Sequence, residues 1–291
     1  MKNLFVFLLA VVISLCSFEA DAQIPKPDHI VVVILENHAF DQIVGSKHAP
    51  FMNSIINGKN CALFVNAYAV THPSQPNYLA IFAGSTLGIT DDDLPKVFPF
   101  TQKNLGAELL QHGYTFAGYS EDLPATGYNG KYTKVYARKH NPWVNWQDSK
   151  ENGIPAKLNL PFTAFPENFN KLPTVAFVIP NINDDMHDGR EPVRTSRGDK
   201  WIQTNLGRYI NWAKNHNSLF IVTFDEDNVL EGNHIPTFIY GPMVKAGKYK
   251  QKINHYNLLR TIEDIYKLPY AGASADSSAI QGCWLNLNKK K

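Results

Sequence analysis

The chain has 291 residues, 28 Lys and Arg against 26 Asp and Glu, ten His, 44% hydrophobic residues and 12% aromatics. That balance excludes a disordered chain, which needs fewer apolar residues or a larger net charge. Three cysteines exclude a disulfide-dense miniature fold. A formal charge of +2, with no basic stripe beyond the Lys289–Lys291 tail, gives no reason to expect nucleic-acid binding.

In chain order, Lys2, an apolar run from Leu4 to Leu15 and Ala20-Asp21-Ala22 read as a signal peptide over residues 1–22. Cleavage after Ala22 would leave about 269 residues in one domain, 23–291, periplasmic or secreted and without a stable membrane anchor. An oxidising compartment would permit the remaining thiols, Cys61 and Cys283, to pair. His29–Leu35 (HIVVVIL) is a short β-branched run of the kind that forms a strand buried on both faces. Ser74-Gln-Pro-Asn-Tyr-Leu begins a helix through Phe82, with Ser74 at or near its N-cap. A helix over Asn104–His112 ends at Gly113, and Thr115–Tyr119 is a weaker strand candidate.

Residues 119–173, rich in Asn, Pro, Gly and aromatics, show little periodicity and read as a loop-rich insertion. Thr174–Ile179, Leu219–Phe224 and Thr237–Tyr240 are further strand candidates. A helix over Asp199–Asn215 places Ile202, Leu206, Tyr209, Ile210 and Ala213 on one stripe, and a last helix covers His255–Tyr266. Strands alternating with helices predict an α/β fold, a mainly parallel central sheet sandwiched by helices.

In such sheets ligands bind at the carboxyl ends of the strands. Those ends carry Glu36-Asn37-His38, then Asn181-Ile-Asn-Asp184-Asp185-Met-His187-Asp188, then Asp225-Glu226-Asp227. Singly, each cluster reads as a cap, an Asx turn or a solvated acidic turn. Jointly, so many carboxylates at one edge destabilise the fold unless a cation neutralises them. Carboxylate and amide oxygens with one or two imidazoles suit a divalent metal, with Zn, Mg, Ca or Mn all compatible. Ser74, beside the free N–H groups of a helix start, lies where a phosphate would bind.

With these residues in hand, the chain resembles the phosphoesterase family of the alkaline phosphatase superfamily, the branch of bacterial acid phosphatases and phospholipases C. The blocks that carry the resemblance are HIVVVILENHAFDQIVG, THPSQPNYLAIFAG, HGYTFAGYSEDLP, YARKHNPW, PNINDDMHDG, TFDEDN, NHIPTFIYGP and HYNLLRTIEDIY, in that order. The resemblance implies an alkaline-phosphatase-like fold and a Ser74 nucleophile activated by a divalent metal, with a phosphoseryl intermediate. It implies Glu36, Asp225 and Glu226 as ligands beside Ser74, with Asn37 adjacent. A second ion would be held by Asn181, His187 and His234, or by Asp184 or Asp185 instead, so one ion or two stays open.

By the same resemblance Asn37, Asn77, Lys139 and His140 would bind substrate, Glu121 and Asp122 would shape the pocket, and His187 or His234 would protonate the leaving group. The partner expected is a small phosphorylated substrate, a phosphomonoester first. A phosphodiesterase or phospholipase C is the alternative, for which Tyr128, Tyr132, Tyr136, Trp143 and Trp146 would line a groove. A non-catalytic metal- or phosphate-binding secreted protein is a third reading. A Ser-His-Asp acyl hydrolase would need a G-x-S-x-G elbow, which no serine in the sequence has.

Overall fold

A computed structural model of the chain describes residues 24–285; the expected signal segment, residues 1–22, lies outside the described residues. The strands are β1 (His29–Leu35), β2 (Cys61–Phe64), β3 (Phe116–Ser120), β4 (Asn159–Pro161), β5 (Val175–Ile179), β6 (Ser218–Phe224), β7 (Thr237–Tyr240) and β8 (Gly247–Tyr249). They form one sheet in the order β4-β3-β5-β1-β6-β7-β2-β8. Only β7 pairs antiparallel with its neighbours, so the other seven strands run in one direction. The sheet is therefore mainly parallel, as the alternation of elements predicted.

The helices are α1 (Phe40–Ile43), α2 (Pro50–Ile56), α3 (Ser74–Ala83), α4 (Leu105–Gln111), α5 (Val193–Ala213) and α6 (His255–Tyr266). Helix α2 packs against α5, while α3 gathers α4 and α6. Central strand β1 is buried along both faces from Ile30 to Leu35, which is why it reads as a continuous apolar run rather than an alternation. The buried Asp199 carboxylate on α5 accepts from the backbone N–H groups of Phe51 (3.0 Å) and Met52 (2.8 Å). An acceptor there satisfies donors that the first turn of α2 leaves unpaired, and so ties α2 to α5.

Between β3 and β5 the chain is loop-rich, but it does not merely cover the sheet. It supplies β4, and its Trp143, Trp146 and Tyr136 are buried. Trp143 lies against Phe116 and Phe177, and Trp146 against Phe82 and Phe100. These aromatics are core, and of the expected groove only the exposed Tyr132 and the half-buried Tyr128 remain near the surface. Cys61 and Cys283 are both buried and free, so the pairing that export would permit is not made. Among the described residues no helix is long and apolar enough to cross a membrane.

Helix α3, which begins at Ser74, is anchored at its far end by a close backbone approach. Gly84 ends the helix in the left-handed region (φ 66), and a Cβ there would lie 1.8 Å from the carbonyl oxygen of Ala271. Facing it, Gly272 also has a positive φ of 52, and a Cβ on it would lie 2.3 Å from the Gly84 oxygen. Gly84→Ala thus combines left-handed strain with a backbone collision. It is expected to cost about 3 kcal/mol or more, read as a lower urea midpoint. An unchanged midpoint would show that this contact does not hold α3 in place.

Candidate active site

The carboxyl ends of β1 and β6 deliver Glu36, Asn37, Asp225 and Glu226 to the N-terminus of α3. The geometry follows from the parallel pairing of β1 with β6, in which Leu35 stands opposite Phe224. The residues that follow them then meet: the Asn37 backbone N–H donates to Asp225 Oδ1 at 3.1 Å. Asn37 takes a left-handed conformation (φ 50), which Asn tolerates. Its carboxamide lies 3.2 Å from both Glu36 Oε2 and Glu226 Oε1, so its NH2 donates to both.

Ser74, the first residue of α3, is buried and points its hydroxyl into this group. Its Oγ lies 3.1 Å from Glu36 Oε2 and 3.3 Å from Glu226 Oε1. Four residues on, the same helix face places the Tyr78 hydroxyl against Glu36 Oε1. Burial and the neighbouring Glu36 charge push the Tyr78 hydroxyl well above its usual range, so it stays a donor. Behind Glu226 stands His72, with Nδ1 2.6 Å from Glu226 Oε2 and Nε2 3.3 Å from Asp227 Oδ1. Sequence reasoning assigned no role to Tyr78 or His72. Helical i, i+4 spacing from Ser74 was the available signal for the first.

A second arm comes from the chain after β3 and β5. His140, wholly buried and stacked on Tyr78 with ring centroids 5.1 Å apart, places Nδ1 3.1 Å from Asp185 Oδ2. Its Nε2 lies 3.3 Å from Glu36 Oε1 but is not aligned with any acceptor. Burial lowers the His140 pKa to about 4, so the ring is neutral at physiological pH. Glu36, His140 and Asp185 offer ligand atoms within 4.8 Å of one another. His140 thus sits among the acidic residues rather than only on the substrate side. Lys139, beside it, is paired with Asp92 at 2.6 Å. Burial works against its charge, but Glu36 and Asp92 hold its pKa up. Asp92 also accepts from the Gln75 backbone at the start of α3.

Other predicted residues fall elsewhere. His234 is stacked on Phe40 and Tyr68 and commits Nε2 to the carbonyl oxygen of Val65, so it braces loops beside the site. Asn181 spends its amide on Asp122 and on the backbone N–H groups of Asn183 and Asp184, an Asx turn with no group left for an ion. Asp184 faces Arg197 at 3.7 Å. Asn77 accepts from the N–H groups of Val70 and Thr71 and donates to Thr71 and Pro73 oxygens, so it holds the loop before Ser74 rather than awaiting a phosphate. Glu121 accepts from the Trp201 indole and the Asn181 backbone. His187 stays at the rim, a third exposed, with its ring 6.0 Å from His140 and Nδ1 on Asp188.

The donor set fits a cation. Glu36, Asp185, Asp225 and Glu226 are all buried, and burial followed by mutual repulsion raises the pKa of Glu36 to about 8. Asp225 and Glu226 are pushed up for the same two reasons, and Asp185 chiefly by burial. Asp225 Oδ2 is buried with no hydrogen-bond partner. An orphaned carboxylate oxygen beside three other acids is what a site for a hard divalent ion leaves when only protein atoms are counted. Among the described residues no histidine hydrogen-bonds Ser74, whose hydroxyl goes to Glu36 and Glu226 instead, and this removes the Ser-His-Asp reading.

A family model described as the Phosphoesterase family matches residues 47–269. The chain is 46% identical over 267 residues to a phosphatidylinositol-3-phosphatase of Mycobacterium tuberculosis, covering 91% of this chain and 85% of that one. It is 30% identical over 225 residues to an acid phosphatase of Aspergillus fumigatus, covering 72% of this chain but only 49% of that one. The fold is similar to that of a protein in the alkaline phosphatase superfamily from Vibrio parahaemolyticus, with a TM-score of 0.59 at 14% identity over 93% of this chain and 72% of that one. The chain belongs to the phosphoesterase family, and it is a phosphoric ester hydrolase.

Proposed function

We propose that this phosphoesterase is a metal-dependent phosphomonoesterase acting through Ser74, and that its substrates include phosphorylated headgroups of the kind named for its mycobacterial relative. The observation that carries the reading is the Ser74 hydroxyl, buried at the first position of α3 and donating to two carboxylates of an acidic cluster that fits an ion. Glu36, Asp225 and Glu226 would hold that ion, with Asn37 and Ser74 Oγ beside it. The ion, when bound, would lower the pKa of the serine hydroxyl and offset charge on the phosphoryl oxygens.

The chain's own residues supply the rest. Glu36 and Glu226 hold the Ser74 hydroxyl in position, and one of the two accepts its proton as Oγ attacks phosphorus. The leaving alcohol departs opposite Oγ and takes a proton from His187 at the rim. Water then attacks the phosphoseryl group and gives its proton to His187, while the departing Ser74 oxygen takes back its own proton from the glutamate, so both groups are reset. The Asn37 NH2 and the Lys139 ammonium would face the phosphoryl oxygens, where donors resist the build-up of negative charge. Tyr78 and His72 act one step back, each holding a glutamate by a hydrogen bond.

The names of the relatives, a phosphatidylinositol-3-phosphatase and an acid phosphatase, support the monoester over the diester reading. The test compares p-nitrophenyl phosphate with bis-p-nitrophenyl phosphate before and after chelation. The expected result is a preference of about a hundredfold or more in kcat/KM for the monoester, abolished by EDTA and restored by one divalent ion. A preference for the diester would transfer the protein to the phosphodiesterase reading, and turnover unchanged by EDTA would remove the metal.

A further inference from the structure

Arg138 precedes Lys139 and His140 in one short 3-10 turn, yet among the described residues its side chain joins no hydrogen bond and no ion pair. It is 1% exposed, and its Nε, Nη1 and Nη2 all lack a hydrogen-bond partner. Among the described residues no carboxylate lies within ion-pair distance of it. The Phe98 ring covers the guanidinium, its centroid 5.1 Å away. The Tyr136 hydroxyl, two residues earlier, is likewise buried with no partner.

A guanidinium does not lose its proton in a protein, so it cannot escape burial by becoming neutral. An unpaired buried charge is strongly destabilising, and one aromatic face offsets only part of that. Arginine carries five N–H donors and no acceptor, and tyrosine adds an O–H donor. All these donors are buried, and none has a protein acceptor. What completes such an environment is an acceptor that brings negative charge and is small enough to fit beneath Phe98.

We propose that Arg138 and Tyr136 form a binding site for one small inorganic anion, of halide size, beneath Phe98. The anion neutralises the guanidinium and receives the Tyr136 O–H. Because Arg138 shares its turn with Lys139 and His140, occupancy also fixes the turn that carries both residues to the cleft. The site is separate from the phosphoryl-transfer residues, since Arg138 makes no contact with the acidic cluster, and the inference does not depend on which ester is hydrolysed.

The test uses bromide as the probe on the metal-loaded protein. A crystal soaked in sodium bromide is expected to show an anomalous peak in hydrogen-bond contact with the Arg138 guanidinium and the Tyr136 hydroxyl. In solution, replacing sodium gluconate by sodium chloride at equal ionic strength is expected to raise the melting temperature by about 3–6 °C, the rise for a ligand present at about ten times its Kd. Arg138→Met, which keeps the apolar stem and removes the charge, is expected to abolish that difference. An ordered water in place of the anomalous peak overturns the proposal, and so does a chloride effect that survives in Arg138→Met. The soak needs no variant, so a variant that fails to fold leaves the proposal open to refutation.

Discussion

Ser74→Ala is expected to lower kcat for p-nitrophenyl phosphate at least about a thousandfold in the metal-loaded enzyme, because the attacking oxygen is gone and no neighbouring group replaces it. The side chains hydrogen-bonded to Oγ are Glu36 and Glu226, acceptors whose own attack on phosphorus would need them to leave an established network. Glu36 is held by Tyr78 and Glu226 by His72. The fold is expected to stay intact, since alanine suits the first turn of α3 and both glutamates keep other donors. The measurement is steady-state kinetics paired with thermal melting. Near-normal kcat with an unchanged melting temperature would show that Ser74 positions the glutamates rather than attacks. A phosphoseryl group trapped by acid quench in the wild type, and absent in the variant, would identify the attack directly.

The sequence made the site's framework visible because strands buried on both faces read as apolar runs that stop abruptly. β1, β5, β6 and β7 are of that type, and the acids that follow β1 and β6 are the ones that meet at Ser74. Helix α6 was found at its observed bounds because its apolar stripe runs its whole length and Asn254 caps it. Helix α5 starts at Val193, six residues before the predicted start, because its first turn carries no inward stripe and Val193 itself is exposed. Strands β2, β4 and β8 have four, three and three residues, too few to show a period.

The site's details were hidden for a different reason. Whether an amide such as Asn77 or Asn181 faces substrate or its own backbone depends on local hydrogen bonds that spacing does not encode. His140 lies between the predicted roles because a 3-10 turn, with no periodic pattern of its own, sends it toward Glu36 and Asp185. His234 follows the acidic residues after β6 closely in sequence but is turned aside by stacking on Phe40 and Tyr68.

The acidic cluster also sets how stability should depend on pH, and its sign differs with and without the ion. Glu36, raised to about 8, binds a proton in the folded chain that an unfolded chain has already released near pH 4.5. The folded state therefore holds more protons through that window, and stability falls as pH rises. Below pH 6.5 the buried His38, His140 and His255 oppose the trend, because burial lowers their pKa and they bind fewer protons folded than unfolded. Between pH 6.5 and 8 the unfolded imidazoles shed the remaining half of their protons, so their opposition fades and the carboxylates dominate.

Over that interval of 1.5 units, Glu36 contributes a loss of about 2 kcal/mol, with Asp185, Asp225 and Glu226 adding in the same direction. Chelated protein is thus expected to melt about 5 °C lower, or more, at pH 8 than at pH 6.5. A bound divalent ion requires the carboxylates ionised, so protons compete with it and its stabilisation grows with pH. The metal-loaded protein should then melt no lower at pH 8 than at pH 6.5, and the gap between the two forms should widen as pH rises. Melting curves at both pH values, with EDTA and with a saturating divalent ion, measure the gap. A chelated protein whose melting temperature stays flat or rises toward pH 8 would mean that the cluster is neutralised by the protein itself and that no ion is needed to hold it.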